Sequence, residues 1–201
     1  MSKLARRRCF SAAKTRRRSR SRCGKAALKT EFIQLVPGSK DLEGRQARIL
    51  GACVPGNTDL SLDRKLRALA VWYVLLAAVE DVESQKRGLC FVVNSQKVKL
   101  RQQLDAKYMK MTMDSLQGSL PLRIRSINVC YPPTFFWVVW AIITPFLHER
   151  AKKRVRVFPG TDEKVKNALG YIVTPDNLPP PMGQNTLDFS GWLEERTRNE
   201  G

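Results

Sequence analysis

Strands alternating with helices place this 201-residue chain in the α/β class, with a mostly parallel β-sheet and crossover helices. Three observations carry that prediction. Short apolar runs at residues 47–54 (ARILGACV), 89–94 (LCFVVN), 124–130 (IRSINVC) and 154–158 (RVRVF) have the length and branched content of strands. Between them lie longer stretches in which apolar residues recur at helical spacing. The run at 89–94 is continuously apolar, the composition of a strand covered on both faces.

The elements follow in order. The strand at 47–54 is closed by Pro55-Gly56-Asn57. Ser61 then offers a hydroxyl N-cap with Asp63 in the first turn, and Leu66, Leu69, Ala70, Tyr73, Leu76 and Ala77 keep helical spacing until Gly88 stops the helix. A second helix is expected over 100–116, and after the strand at 124–130 a single long helix over 135–151. The strand at 154–158, a short helix over 162–169 and an extended run over 171–174 complete the pattern. The sequence contains no internal repeat.

Charge is distributed unevenly. The net charge is +18, but 12 of the 36 Lys and Arg fall in residues 1–30, which hold no acid, so the remaining 171 residues carry 24 basic and 18 acidic groups, a net of +6. The expected organisation is a disordered Arg/Ser-rich tail over 1–29, one domain over 30–186 and a C-terminal tail over 187–201. The start of the chain has the charge of a signal's n-region without an apolar h-region, so a secretory signal is not expected. Its Arg- and Ser-rich, acid-free character also resembles an organellar transit peptide, and Arg16-Arg17-Arg18-Ser19-Arg20 fits the loose pattern of nuclear import or nucleic-acid contact. A disordered basic tail is the commoner reading.

Five cysteines, Cys9, Cys23, Cys53, Cys90 and Cys130, are odd in number, widely spaced and free of any CxxC pair. That pattern suits neither a disulfide framework nor a zinc site, and fits a reducing, cytoplasmic setting. Cys90 and Cys130 fall in strand-like runs, where a thiol is expected as a small buried hydrophobe. The longest apolar candidate for a membrane span, residues 130–147, is broken by Pro132, Pro133 and Pro145. The single histidine, His148, stands beside Glu149 in a basic stretch, with no serine elbow, P-loop, dinucleotide glycine motif or carboxylate cluster near it. No enzyme activity, cofactor or metal is expected.

The stretch over 121–155, PLRIRSINVCYPPTFFWVVWAIITPFLHERAKKRV, is the most telling. Arg123 and Arg125 precede a strand-like run, an apolar segment follows, and Arg150, Lys152, Lys153 and Arg154 cluster after it. The order Pro121-Leu122-Arg123-Ile124-Arg125, then Ile127-Asn128-Val129, Pro133 opening an apolar helix, Pro145-Phe146-Leu147, and Asn177-Leu178-Pro179-Pro180-Pro181-Met182-Gly183 resembles the CRAL-TRIO lipid-binding domain over residues 32–183. The closing segments Leu187-Asp188-Phe189 and Trp192-Leu193-Glu194-Glu195-Arg196 look like the tail that follows that domain.

The resemblance implies a lipid cavity covered by an apolar gate helix, with Phe135, Phe136, Val139, Trp140, Ile143 and Phe146 as gate or cavity residues. It implies a phosphoinositide-binding cleft at Arg123, Arg125, Arg150 and Arg154, with Lys152, Lys153 and Arg156 as supporting charge. Arginine suits phosphate because its planar fork donates two parallel hydrogen bonds. Read without the resemblance, such a cluster at a helix end is a solvated face complementing the helix dipole, and the apolar run is an ordinary buried helix. For Trp72, Tyr73, Phe91 and Met113, core packing is the commoner job beside cavity lining. Leu122 stands where the phosphatidylinositol-transferring branch has a glutamate. Gln184 replaces the second glycine of the closing motif, and residues 1–30 are too few and too charged to build the helical lobe that usually precedes the domain.

The expected function is therefore binding and intermembrane transfer of a hydrophobic lipid ligand by a monomer that docks peripherally on anionic membranes. The alternatives are a basic nucleic-acid-associated protein acting through its tail, and a degenerate scaffold with no ligand. Nucleic acid is not the expected partner.

Overall fold

A computed structural model describes residues 28–29, 32–35, 49–53, 59–78, 80, 82–96, 98–99, 105, 107–108, 110–112, 124–178, 182–184 and 189–199. Four strands, β1 (Ile49–Cys53), β2 (Leu89–Asn94), β3 (Ile124–Cys130) and β4 (Val155–Phe158), form one sheet in the order β1-β2-β3-β4. Every neighbouring pair is parallel, with Cys90 opposite Ser126, Asn94 opposite Cys130, and Ile127 opposite Val155. The sheet is the α/β sheet that the alternation predicts.

Side chains of β2 alternate between two cores. Leu89 and Phe91 join Ala70, Val74, Leu75, Ala77 and Ala78 of α1 (Arg64–Ala78), together with Leu28, Phe32, Ile33 and Leu35 and the Phe189 and Leu193 side chains of the C-terminal helix α6 (Phe189–Asn199). Cys90 and Val92 point the other way, into a core built with Cys130, Val165 and Leu169 of α5 (Asp162–Gly170), Val173, Leu178 and Met182. This two-sided burial is what a continuously apolar strand demands.

Asp63, not Ser61, caps α1. The Asp63 carboxylate accepts the Lys65 N–H at 2.9 Å and its carbonyl accepts the Arg67 N–H at 3.1 Å. Ser61 is instead held by Asp59, whose carboxylate accepts both its N–H and its hydroxyl. The helical run then divides into α1 and the short α2 (Val82–Arg87), with Glu80 in a bend between them. Gly88, at φ 92°, ends α2 in the left-handed conformation that glycine adopts without strain.

The single long helix expected over 135–151 is three pieces: α3 (Phe136–Ile143), a 3-10 turn (Thr144–Phe146) and α4 (Glu149–Lys152), with Leu147 and His148 extended between the last two. Pro145 explains the break, because it has no N–H to donate one turn back. Thr144 ends α3 by giving both its N–H and its hydroxyl to the Trp140 carbonyl. His148 is exposed and precedes α4 without joining it. The expected extended run over 171–174 is also corrected: Ile172 and Val173 donate back to the Leu169 carbonyl, so the segment is a helix-ending turn with a single bridge at Val173.

Residues 107–108 and 110–112 are helical, within the helix expected over 100–116. Residues 1–27, Arg123 with Pro121 and Leu122, Met113, Pro179 to Pro181, and Leu187 with Asp188 lie outside the described residues.

Candidate functional site

The two faces of the sheet differ in how well they are sealed. On one, Cys90, Val92, Asn94, Ser126, Asn128 and Cys130 are buried, while at the β4 edge Phe158 is half-buried and Arg156 exposed; on the other, Leu89 and Val129 are buried and Phe91, Val93, Ile127, Val155 and Val157 are half-buried although every one is apolar. α1 covers the β1–β2 side of the second face through Leu89 and Phe91. In a parallel sheet ordered 1-2-3-4, right-handed crossovers all fall on one face, which puts the β3–β4 connection that contains α3 on the same side of the sheet as α1.

α3 has an inner and an outer side. Phe136 and Val139 are buried, Phe135, Trp140, Ile143 and Phe146 are half-buried, and Trp137 and Val138 are 65 % and 58 % exposed. Phe136 stacks on Trp140 with centroids 6.2 Å apart and meets Trp137 edge-on at 5.2 Å. The helix starts at the carboxyl end of β3 after Tyr131, which holds φ 55° in the left-handed region. A bulky residue there costs on the order of 1–3 kcal/mol, and such strain concentrates at functional sites.

The basic residues gather at the opposite, amino end of the strands. Arg154 is half-buried, and its Nη1 donates to the Ile124 carbonyl while its own carbonyl accepts the Ile127 N–H at 2.9 Å. Arg154 is thereby fastened beside Arg125, which is exposed on β3. Arg150 and Lys153 are exposed on and just after α4. Lys152 pairs with Glu149 at 2.6 Å, an exposed contact that holds the Glu149 carboxyl below its usual range. Because α4 ends at Lys152, Arg150 and Arg154 do not share a helix face; the turn at Lys153 and Arg154 brings them to the same end of the sheet. Arg156 is exposed on β4.

Two polar arrangements escaped the sequence reading. On the sealed face, the fully buried Asn128 donates from Nδ2 to Cys90 Sγ, the Phe91 carbonyl and Ser126 Oγ at 3.1–3.2 Å. The only signal for it was a Ser and an Asn spaced two apart within an apolar strand. At the start of α1, Arg67 is 3 % exposed, lies 4.5 Å over the Tyr108 ring and donates from Nη2 to Asp105 at 2.9 Å. A buried cation inside an amphipathic helix looks in sequence like any solvated arginine.

The closing motif is sterically fixed. A Cβ at Gly183 would collide with the carbonyl oxygens of Pro175 and Leu178, so no other residue fits. Gln184 sits at the next position without strain: its N–H donates to the Pro175 carbonyl at 3.0 Å, and Tyr131 is the one non-glycine with positive φ among the described residues. The turn does not require a second glycine. Among those residues no helix is long and apolar enough to cross a membrane, and no group of three His, Cys, Asp or Glu is placed to hold a metal.

Four parallel strands in sequential order with helices in their connections define an α/β domain. The CRAL/TRIO domain family matches residues 31–183, and the chain belongs to it. It is 27 % identical over 164 residues to Clavesin-2 of Homo sapiens, an alignment covering 79 % of this chain and 47 % of that protein. It is 25 % identical over 173 residues to Clavesin-1 of Xenopus laevis, covering 82 % and 50 %. A match of 25 % identity over 126 residues to human tyrosine-protein phosphatase non-receptor type 9 covers 61 % of this chain and a fifth (20 %) of that protein. The chain spans about half the length of the Clavesins it matches.

Proposed function

We propose that the protein binds one hydrophobic lipid molecule between the half-covered sheet face and α3, and exchanges it at anionic membrane surfaces. The observation that carries this reading is the pairing of an incompletely buried apolar floor, Phe91, Val93, Ile127, Val155 and Val157, with an apolar helix whose outer side exposes Trp137 and Val138. A protein that kept this surface in water without an occupant would forgo about 25 cal/mol for each Å² left exposed. A bound apolar chain covers the floor, and the exposed tryptophan suits the boundary between headgroups and tails.

Arg123, Arg125, Arg150 and Arg154, with Lys152, Lys153 and Arg156, are the proposed membrane-facing charge, each basic residue near an anionic surface contributing about 1 kcal/mol. On this reading the protein works as a peripheral carrier with no chemical step. The test is extraction and native mass spectrometry of the purified chain. A hydrophobic molecule in near-equimolar amount is expected; an empty, folded protein that takes up no lipid, sterol, retinoid or tocopherol from vesicles would overturn the reading.

A further inference from the structure

At the carboxyl end of the sheet, away from the Arg150 cluster, a cavity of about 610 Å³ is lined by Leu60, Ser61, Leu62, Asp63, Arg64, Arg67 and Asp105. Its hydrogen-bonding account does not balance. The nearby carboxylates are turned to other donors: Asp105 accepts Arg64 Nε on both oxygens, Arg67 Nη2 and the Tyr108 N–H; Asp63 accepts the Lys65 N–H on one oxygen; and Asp59 accepts both donors of Ser61 on one oxygen. The donors are in surplus. Arg67 is 3 % exposed, yet its Nε and Nη1 have no partner. Buried N–H groups of a guanidinium are rarely left unmatched, because each forfeits its hydration without recompense.

We propose that this cavity is a binding site for a phosphate-class oxyanion. The missing component is an acceptor, and a tetrahedral oxyanion supplies several acceptor oxygens with the sign that two arginines favour. The cavity opens at the N-terminus of the fifteen-residue α1, where Asp63 already takes the Lys65 N–H and the helix dipole favours an anion. It also lies where α/β sheets bind ligands: α1 follows the carboxyl end of β1, and Asp105 comes from the connection that leaves the carboxyl end of β2. Arg64, half-exposed and bonded to the same Asp105 carboxylate, stands on the solvent side of the buried Arg67. Asp105 is the counter-charge that holds both guanidiniums in place when the site is empty. The oxyanion is either a free phosphate or the headgroup of a lipid whose tails reach the neighbouring sheet face.

Isothermal titration of the full chain with sodium phosphate, against sodium chloride at matched ionic strength, tests the site. The expected result is saturable binding of about one phosphate, weakened at least tenfold in Arg67→Lys and several-fold in Arg64→Gln, whose exposed side chain can be replaced without unfolding the protein. Vesicles of phosphatidylcholine with and without phosphatidic acid separate the two sources. Loss of phosphatidic acid-dependent binding in Arg64→Gln assigns the headgroup, whereas loss of phosphate binding alone assigns the free ion. The proposal is overturned by no phosphate heat beyond that of chloride, by unchanged affinity in Arg64→Gln and Arg67→Lys, or by a loss that follows Arg150→Gln instead.

Discussion

Arg154 donates its Nη1 to the backbone carbonyl of Ile124, joining the turn before β4 to the first residue of β3. This bond separates two arginines that look equivalent in sequence. Arg154 is half-buried and holds the amino end of the sheet together, while Arg150 is exposed on α4. Arg154→Ala is expected to lower unfolding free energy by about 1–3 kcal/mol, since a charge-assisted bond is lost and a strand-end carbonyl is left open. Arg150→Ala is expected to change stability by less than about 0.5 kcal/mol. Both should weaken binding to phosphoinositide vesicles, and the Arg150 effect should shrink at high salt because exposed charge is screened over about 8 Å at physiological ionic strength. Urea unfolding beside vesicle co-sedimentation decides it; equal stability losses would refute the division.

The two sides of α3 predict opposite outcomes for the same substitution. Trp137→Asp, on the exposed side, should leave the unfolding midpoint within a few degrees and slow lipid exchange between vesicles, because a carboxylate costs about 2.5–3.5 kcal/mol to place in the apolar interior of a membrane. Phe136→Asp, at 6 % exposure, should unfold the protein or destabilise it by about 3–5 kcal/mol. If Trp137→Asp exchanges lipid at the parent rate, α3 is ordinary cover and not a gate.

The sheet was legible in sequence because its signal is local: short runs of four to seven residues rich in branched apolar side chains, with helical spacing between them. Family order singled out the apolar segment at 135–146, proposed above as a gate, and the closing motif at Gly183. What failed were details set by single residues competing with pattern. Asp63 outcompeted Ser61 as cap because its carboxylate reaches the Lys65 N–H, and Pro145 cut a helix that apolar periodicity alone continues to Ala151. The inner and outer sides of α3 could not be read, because FFWVVWAII is apolar all round and carries no phase. Arg67 was invisible for a different reason: its burial depends on Asp105 and Tyr108, about forty residues away.

Gly183 and Gln184 make a paired prediction. Gly183→Ala should cost about 3 kcal/mol or prevent folding, since its methyl collides with two backbone oxygens that cannot move independently. Gln184→Gly, which restores the second glycine of the family motif, should change stability by about 1 kcal/mol or less, through unfolded-state entropy. Thermal unfolding of both variants is sufficient, and a large gain from Gln184→Gly would mean that the turn is strained after all.

Cys130 gives the pH dependence. Burial, with the Cys90 thiol adding to it, pushes its pKa from 9.0 up to about 12. The folded protein therefore keeps the thiol proton between pH 9 and 12 while the unfolded chain releases it. Across that window the unfolded state binds fewer protons, so stability falls as pH rises, and below pH 9 this group contributes no pH dependence. The same burial makes both Cys90 and Cys130 inert as nucleophiles, since the thiolate is the reactive form. Alkylation by iodoacetamide at pH 8 should leave the two thiols unmodified in the native protein and label them in urea. A Cys130→Ser variant should show a shallower descent between pH 9 and 12 than the parent in urea unfolding, the remainder coming from Tyr131, which burial and the neighbouring Asp162 push from 10.0 up to about 12. Native-state labelling of Cys130 at the rate of a free thiol would mean that this face of the sheet is open, reversing the assignment of which face is sealed and which receives the ligand.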